Sequence, residues 1–218
     1  MPTKLVLAAG ALALLAGCGS SAAKGESSAV ADGCPAADGS SPQTMKFATA
    51  PPMCIDVAKH YTADIVTNLG ELKVALDPTI APKTVNNFVV LARFHHFDAM
   101  SCHRAIPGFV VQCGDPTGTG SGGPGYEFAD ELPAAGAYRI GSLAMANAGP
   151  DTNGSQFFII TGPDGAALAP NYSLFGQAAE GQTDVIAALD AAGNPDPSAG
   201  GVPPAKAITI TKVTITEE

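Results

Sequence analysis

Short apolar runs separated by glycine and proline turns constrain the fold of this chain most. Residues 72–76 alternate between apolar and polar or small side chains, which is the period of a strand buried on one face. Residues 65–76 read as two strands about an Asn68-Leu69-Gly70 turn. The other predicted strands cover residues 101–106, 109–114, 140–145, 156–161, 172–177 and 207–216. The last strand needs a bulge near Thr211-Lys212, because its apolar residues change phase there.

Two helices accompany these strands. Pro82 opens the first, where its missing N–H costs nothing, and residues 85–92 carry one apolar stripe that should end near His95. Thr183 is predicted as the N-cap of the second helix, which Gly193 should end. Many short strands with only two helices favour a mainly β fold, a closed antiparallel barrel, over a parallel sheet.

Two longer segments about forty residues apart carry the chemistry. Residues 103–115 read HRAIPGFVVQCGD, and residues 142–159 read SLAMANAGPDTNGSQFFI. In length, order and spacing they closely resemble the two signature blocks of the cyclophilins, the peptidyl-prolyl cis/trans isomerases. The resemblance spans roughly residues 62–216 and implies a closed eight-stranded antiparallel barrel capped by two helices.

The chemistry that the resemblance implies needs no metal or cofactor. An X-Pro bond isomerises slowly because its C–N bond has partial double-bond character, with a barrier of about 20 kcal/mol. The prolyl nitrogen of the twisted amide gains a lone pair, to which a fixed guanidinium donates better as the twist develops. Arg104 matches the family's catalytic arginine, with Gln112 and Phe109 beside it. Without this motif, Arg104 would read as a strand arginine in a surface ion pair.

The resemblance also implies a substrate site. Phe109, Val110, Phe158 and Leu168 would line an apolar pocket for the proline ring. Strand alternation puts Phe158 on the same face as Gln156 and opposite to Phe157.

Polar groups would complete this site. Gln112 and Gln156 would hold the arginine and a substrate carbonyl by hydrogen bonds. Asn147, with the backbone of Ala146 and Ala148, would pair with the substrate main chain like an added strand. Gly120 would let the preceding substrate residues approach closely.

Three positions depart from the family pattern. Ala167 aligns with a pocket-edge tryptophan, Tyr172 with a pocket histidine, and Val110 with a residue that is methionine in many relatives. Tyrosine can still close the pocket and donate a hydrogen bond. The missing indole predicts weak cyclosporin inhibition.

The first residues do not belong to the barrel. Lys4 precedes an apolar run over residues 5–16 that is too short to span a bilayer. It ends in Leu15-Ala16-Gly17-Cys18, which looks like a bacterial lipobox and predicts a lipid on Cys18. An ordinary cleaved signal with an incidental cysteine is the plainer alternative. We expect the protein on the extracytoplasmic face of a bacterial cell membrane, attached through the lipid only.

The composition changes after this leader. Residues 19–41 hold almost no large apolar side chain, so they cannot offset their ordering entropy by burial. We therefore expect a signal peptide over residues 1–17, a flexible tether and N-terminal extension over residues 18–60, and the isomerase domain over residues 61–218.

The charge of the chain limits its partners. The formal net charge is −9, and loss of Lys4 with the leader makes it −10. This balance argues against nucleic acid and against electrostatic binding to an anionic membrane. The expected partners are proline-containing polypeptides, and a monomer is expected.

The cysteines of an exported protein can form disulfides. Lipidation of Cys18 leaves four of the five, which is enough for two disulfides. If Ile106 faces Phe109 across a Pro107-Gly108 turn, Cys102 lies opposite Cys113. Cys34 and Cys54 would form the second pair. Buried free thiols are the alternative, and the spacing of cysteines and histidines predicts no zinc site.

Three functions compete at this point. The leading one is an exported, lipid-anchored prolyl isomerase that acts on unfolded or newly translocated proteins. The second is a binding module or chaperone that binds proline segments with weak turnover, and the third is a structural envelope protein.

Residues 118–123 fit G-x-G-x-x-G but precede no predicted helix, so we interpret them as a loop and not a dinucleotide site.

Overall fold

The computed structural model describes Met1 and residues 33–218. The predicted signal peptide, the lipid site at Cys18 and residues 19–32 of the predicted tether lie outside the described residues. Within the described part of the chain, no helix is long and apolar enough to cross a bilayer.

Nine strands and three α-helices form the described part of the chain. The strands are β1 (Tyr61–Thr67), β2 (Gly70–Leu76), β3 (Met100–Ser101), β4 (Arg104–Ile106), β5 (Val110–Cys113), β6 (Ser142–Met145), β7 (Phe157–Ile160), β8 (Leu174–Ala178) and β9 (Thr209–Glu217). The helices are α1 (Pro82–Arg93), α2 (Pro163–Ala166) and α3 (Thr183–Ala191).

All nine strands belong to one curled antiparallel sheet in the order β3-β9-β1-β2-β8-β6-β7-β5-β4. The two edge strands, β3 and β4, follow each other in the chain, with only Cys102 and His103 between them. The mainly β antiparallel architecture is as predicted, but the sheet has nine strands instead of eight, and its edge strands β3 and β4 are not paired with each other as they would be in a closed barrel. The segment that was expected to be one strand over residues 101–106 is interrupted at Cys102-His103, which gives two short strands.

Side-chain alternation accounts for the longest strands. β1 and β2 form the predicted hairpin, with Tyr61 opposite Leu76 and alternate side chains buried along both strands. β9 pairs with the other edge of β1, and Thr211 is the extra residue where the register shifts. The predicted bulge is therefore confirmed.

The helices differ in detail from the prediction. α1 begins at Pro82 as predicted and is buried over most of its length, because it packs against β8 and β9. Thr183 is the first residue of α3 and not its N-cap; Gln182 holds the cap position without a side-chain hydrogen bond. The four-residue helix α2 was not predicted, since one turn is too short to show a periodic pattern.

The β4–β5 hairpin has a register one residue away from the predicted one. Ile106 lies opposite Val110, not Phe109, because the connecting loop has three residues instead of two. Arg104 consequently lies opposite Gln112. The ladder stops at Arg104, and the chain before it brings Cys102 to Cys113, where their Sγ atoms are bonded and the Cα atoms are 4.0 Å apart.

Apolar side chains pack on both faces of the sheet. The larger cluster fills the inside, where the Phe88 ring lies 5.0 to 5.4 Å from the rings of Phe97, Phe157 and Phe175. The smaller one, which we call the outer cluster, consists of the buried residues Val110, Tyr138, Ala144, Phe158 and Ile160. Phe157 and Phe158 therefore lie on opposite faces of β7, as the alternation predicted.

The chain before β1 packs against the barrel from Cys34 onward. Cys34 and Cys54 form the second disulfide, with Cα atoms 5.5 Å apart. The Thr44 N–H donates to the Phe94 carbonyl at 2.9 Å, and Ile55 is buried. The structure therefore differs from the flexible tether expected over residues 19–41 in the last part of that range, from Cys34, and the packed unit begins well before the predicted boundary at residue 61. Apolar side chains that follow residue 41 supply the burial that the tether lacks.

Candidate active site

Arg104 is held at the edge of the sheet by two acceptors. Its Nε donates to the Gly200 carbonyl at 3.0 Å, and its Nη1 lies 3.4 Å from Gln112 Oε1 on the opposite strand. The guanidinium carbon is 5.8 Å from the centre of the Phe109 ring, within the range of a cation–π contact. The three residues predicted as the catalytic set are thus brought together.

A chain of side-chain amides continues from Arg104. Gln112 Nε2 donates to Gln156 Oε1 at 2.9 Å, and Gln156 Nε2 donates to the carbonyls of Gly120 and Gly122 at 3.0 and 2.8 Å. Both glutamines are half-buried, and each amide group is oriented by its neighbour. This row of hydrogen bonds fixes the Arg104 side chain from the β5 side and connects it to the loop that contains Gly120.

Asp115, which sequence reasoning missed, organises that loop. Its carboxylate accepts from the N–H groups of Thr117, Thr119 and Gly120 at 2.7, 2.9 and 2.6 Å. Burial by itself raises the pKa of Asp115, but hydrogen bonds from Thr117, Gly122 and Gly120 outweigh it and lower the pKa to about 2. The carboxylate therefore stays charged and holds Gly120 in place. An Asp two residues before a Thr is a turn signal that could have indicated this role.

The outer cluster and the partly buried side chains packed against it form an apolar surface beside Arg104, at the predicted proline site, which we call the apolar pocket. Val110 and Phe158 are buried in it, and Phe109, Leu168 and Tyr172 pack against it from the rim. The Phe158 and Tyr172 rings meet edge to face, with centres 5.2 Å apart and an interplanar angle of 88°. All the residues predicted to line the proline pocket lie here.

Tyr138 fixes the backbone of Tyr172. Its hydroxyl donates to the Tyr172 carbonyl at 2.6 Å and accepts from the Tyr172 N–H at 3.0 Å. Burial raises the pKa of Tyr138, so it remains a neutral donor. No sequence pattern indicated Tyr138, because it lies in the irregular segment between β5 and β6.

The segment after β6 lies next to this pocket. Asn147 Nδ2 donates to the Asn171 carbonyl at 2.9 Å. The N–H groups of Ala146 and Ala148 already donate to the Gln156 carbonyl and to Thr152 Oγ1. These two N–H groups are therefore already paired within the protein, which narrows the predicted role of both alanines.

A groove of about 970 Å³ adjoins the apolar pocket. Gln112, Gly120, Ala146, Asn147 and Gln156 lie along it, and Ala146 also packs against the outer cluster. The predicted substrate residues are therefore divided between the groove and the apolar pocket. Residues 120–127 form the opposite wall as an irregular segment, and no helix follows residues 118–123, so their interpretation as a loop is confirmed.

The geometry agrees with a family comparison. A family model described as "Cyclophilin type peptidyl-prolyl cis-trans isomerase/CLD" matches residues 62–215, well over half of the chain. The chain belongs to the cyclophilin family. The activity of this cyclophilin is peptidyl-prolyl cis/trans isomerisation, as the two signature segments predicted.

Curated relatives and solved structures support the same assignment. Peptidyl-prolyl cis-trans isomerase B of Streptomyces anulatus is 44% identical over 137 residues, which cover 56% of this chain and 78% of that protein. Peptidyl-prolyl cis-trans isomerase A of Mycobacterium tuberculosis is 44% identical over 141 residues, 57% of this chain and 77% of the relative. A cyclophilin type isomerase of Cryptosporidium parvum covers 73% of this chain and 99% of its own, with 33% identity and a TM-score of 0.64. That enzyme was also crystallised in the presence of the dipeptide Ala-Pro.

Two of the three positions that depart from the family pattern lie at the pocket rim of this cyclophilin, and the third lies in its floor. Ala167 is exposed at the end of α2, and the next residue, Leu168, packs against the outer cluster. Tyr172 covers the Phe158 ring, and Val110 lies buried beneath it. The rim beside Ala167 is therefore open, whereas the pocket floor is closed.

Proposed function

We propose that Arg104 catalyses the isomerisation of X-Pro bonds by donating a hydrogen bond to the prolyl nitrogen of the twisted amide. The observation that carries this proposal is a guanidinium fixed by Gly200 and Gln112 beside an apolar pocket. A guanidinium has five N–H donors, and these two contacts leave donors for a substrate. Because the nitrogen lone pair develops only as the amide twists, the new hydrogen bond stabilises the transition state more than the ground state.

The pocket supplies the second part of the mechanism. A proline ring held by Phe109, Val110 and Phe158 would be fixed while the carbonyl side of the bond rotates. The ring of Phe109 also covers one face of the Arg104 guanidinium, which limits the contact of the guanidinium with water. Positioning and a preoriented donor then act together without a covalent step.

A binding module with weak turnover would use the same pocket. Exchange spectroscopy by NMR on a short X-Pro peptide separates the two functions, because it measures cis/trans interconversion at equilibrium together with binding. We expect catalytic amounts of the protein to accelerate exchange well above the uncatalysed rate. Binding without acceleration would favour the module instead.

Light scattering after gel filtration tests the expected monomer.

We further propose that the protein is exported and held at the outer face of the membrane by a lipid on Cys18. All four cysteines of the described residues are paired in disulfides, which supports an oxidising compartment. Replacement of Cys18 by serine should release the protein from the membrane fraction. A Cys18→Ser variant that still sediments with membranes would contradict the anchor.

A further inference from the structure

The N-terminal extension reaches the substrate groove, although it precedes the family match. The Phe47 N–H donates to the Pro124 carbonyl at 2.7 Å, on the groove wall. Gly125 has a φ of +105°, and a Cβ at this position would lie 2.5 Å from the Phe47 carbonyl oxygen. The wall is thus shaped for close contact with the extension.

Side chains fix the same stretch on the barrel. The Phe47 ring packs against Phe94 and Tyr126, with ring centres 5.4 and 6.2 Å apart. On the other side of Lys46, the carbonyl of Thr44 accepts from His96 Nδ1 at 3.1 Å. Lys46 therefore extends from a backbone that is held on both sides.

Lys46 is the one cation among the residues that line the groove, and Glu127 is the one anion. In the described part of the chain, no carboxylate lies within ion-pair distance of the Lys46 ammonium group. The lysine is exposed in a protein of net charge −9. A positive side chain whose backbone the fold holds beside the substrate residues, and which has no ion-pair partner among the described residues, is available to a ligand.

We propose that the extension is part of the substrate site and that Lys46 selects proline segments with an acidic residue on the N-terminal side of the X-Pro pair. The proposal rests on the proposed function and on the predicted role of Gly120, which lies in this groove and would receive the residues that precede proline. An exposed ion pair contributes roughly 0.2–1 kcal/mol, so the preference should be about 1.5- to 5-fold. It should weaken as salt rises, because the charges are in contact with solvent.

Peptides that carry Glu, Gln or Lys at the first or at the second residue before the X-Pro pair test this preference. We expect the Glu peptide to bind more tightly than the Gln peptide at low salt, and the Lys peptide to bind least. Lys46→Gln should bring the Glu-to-Gln affinity ratio close to one. Glu127→Gln should raise the ratio, because it removes the repulsion from the second charge. Lys212→Gln is the matched control, since Lys212 is an exposed lysine on β9 that does not line the groove.

Affinities are measured by NMR titration in an Arg104→Ala background as well as in the unmodified chain, so that binding is read apart from turnover. A Glu-to-Gln ratio of one at low salt in the unmodified chain would overturn the proposal and leave the isomerase mechanism intact. A preference that persists in Lys46→Gln would also overturn it. Lack of turnover together with a preference that depends on Lys46 would support this inference and refute the proposed catalysis.

Discussion

The Cys102–Cys113 disulfide should support both the stability and the turnover of this cyclophilin. It joins the residue just before His103-Arg104 to the residue just after Gln112, so it closes the hairpin that presents the guanidinium. Both cysteines are buried. The appropriate perturbation is therefore the double variant Cys102→Ala/Cys113→Ala, since serine would bury two hydroxyl groups in place of sulfur.

The size of the effect follows from the loop that the disulfide closes. The two cysteines are 11 residues apart in sequence. The chain-entropy relation gives about 3 kcal/mol of stabilisation at 25 °C for a loop of this length. For a domain of this size, that loss corresponds to a decrease in Tm of about 6–12 °C. Loosening the strand that holds Arg104 should lower kcat/KM by roughly three- to tenfold, because small displacements of a reactive group are costly.

The second disulfide provides a matched control. Cys34 and Cys54 are 20 residues apart, and the same relation gives about 3 kcal/mol for this loop. This bridge closes part of the extension and touches neither Arg104 nor Gln112. Cys34→Ala/Cys54→Ala should therefore lose similar stability, with less than about a twofold change in turnover of an uncharged peptide.

Urea unfolding gives the free energies, and an isomerisation assay at 10 °C gives kcat/KM while both variants are folded. A stability loss below about 1 kcal/mol in both variants would refute the entropic estimate. Equal turnover in the two variants would refute the link between the disulfide and the orientation of Arg104.

Two further predictions concern the pocket rim and the buried histidines. Ala167→Trp should strengthen cyclosporin inhibition, because an indole beside Leu168 adds apolar surface worth at most about 2 to 3 kcal/mol; tight inhibition of the unmodified chain would contradict this. The free energy of unfolding should fall from pH 7 to pH 5, because burial lowers the pKa of His96, and likewise of His103, below the value of about 6.5 in the unfolded chain. The unfolded state then binds more protons as the pH falls through 6.5, whereas Asp115, with a pKa of about 2, affects stability only at lower pH. Urea unfolding of His96→Gln should show a weaker pH dependence, and an unchanged one would contradict the assignment.

The sequence predicted most of the barrel because period-two alternation is a direct consequence of strand geometry. It missed the register of the β4–β5 hairpin, since a Pro-Gly pair is compatible with loops of two or three residues. It also missed the break at Cys102-His103 that produces nine strands, because no glycine or proline marks that position.

The site was predictable where its residues lie in the two signature segments. Arg104, Gln112, Gln156 and Phe158 are in those segments, and the fold brings them together. Tyr138 and Phe47 make contacts between distant parts of the chain, which no sequence motif indicates. Phe47 lies between the polar residues 19–41 and the start of the family resemblance, so nothing in the sequence pattern indicated its packing role.

The central claim is that a fixed Arg104 guanidinium stabilises the twisted amide, and kcat/KM of Arg104→Ala tests it most directly. A hydrogen bond to a charged group is worth about 1.5–3 kcal/mol, so kcat/KM should fall by about 10- to 150-fold. Peptide affinity should fall much less, because the apolar pocket remains. Arg139→Ala is the matched control, since Arg139 is exposed and does not line the groove. Unchanged turnover in a folded Arg104→Ala variant would contradict the mechanism.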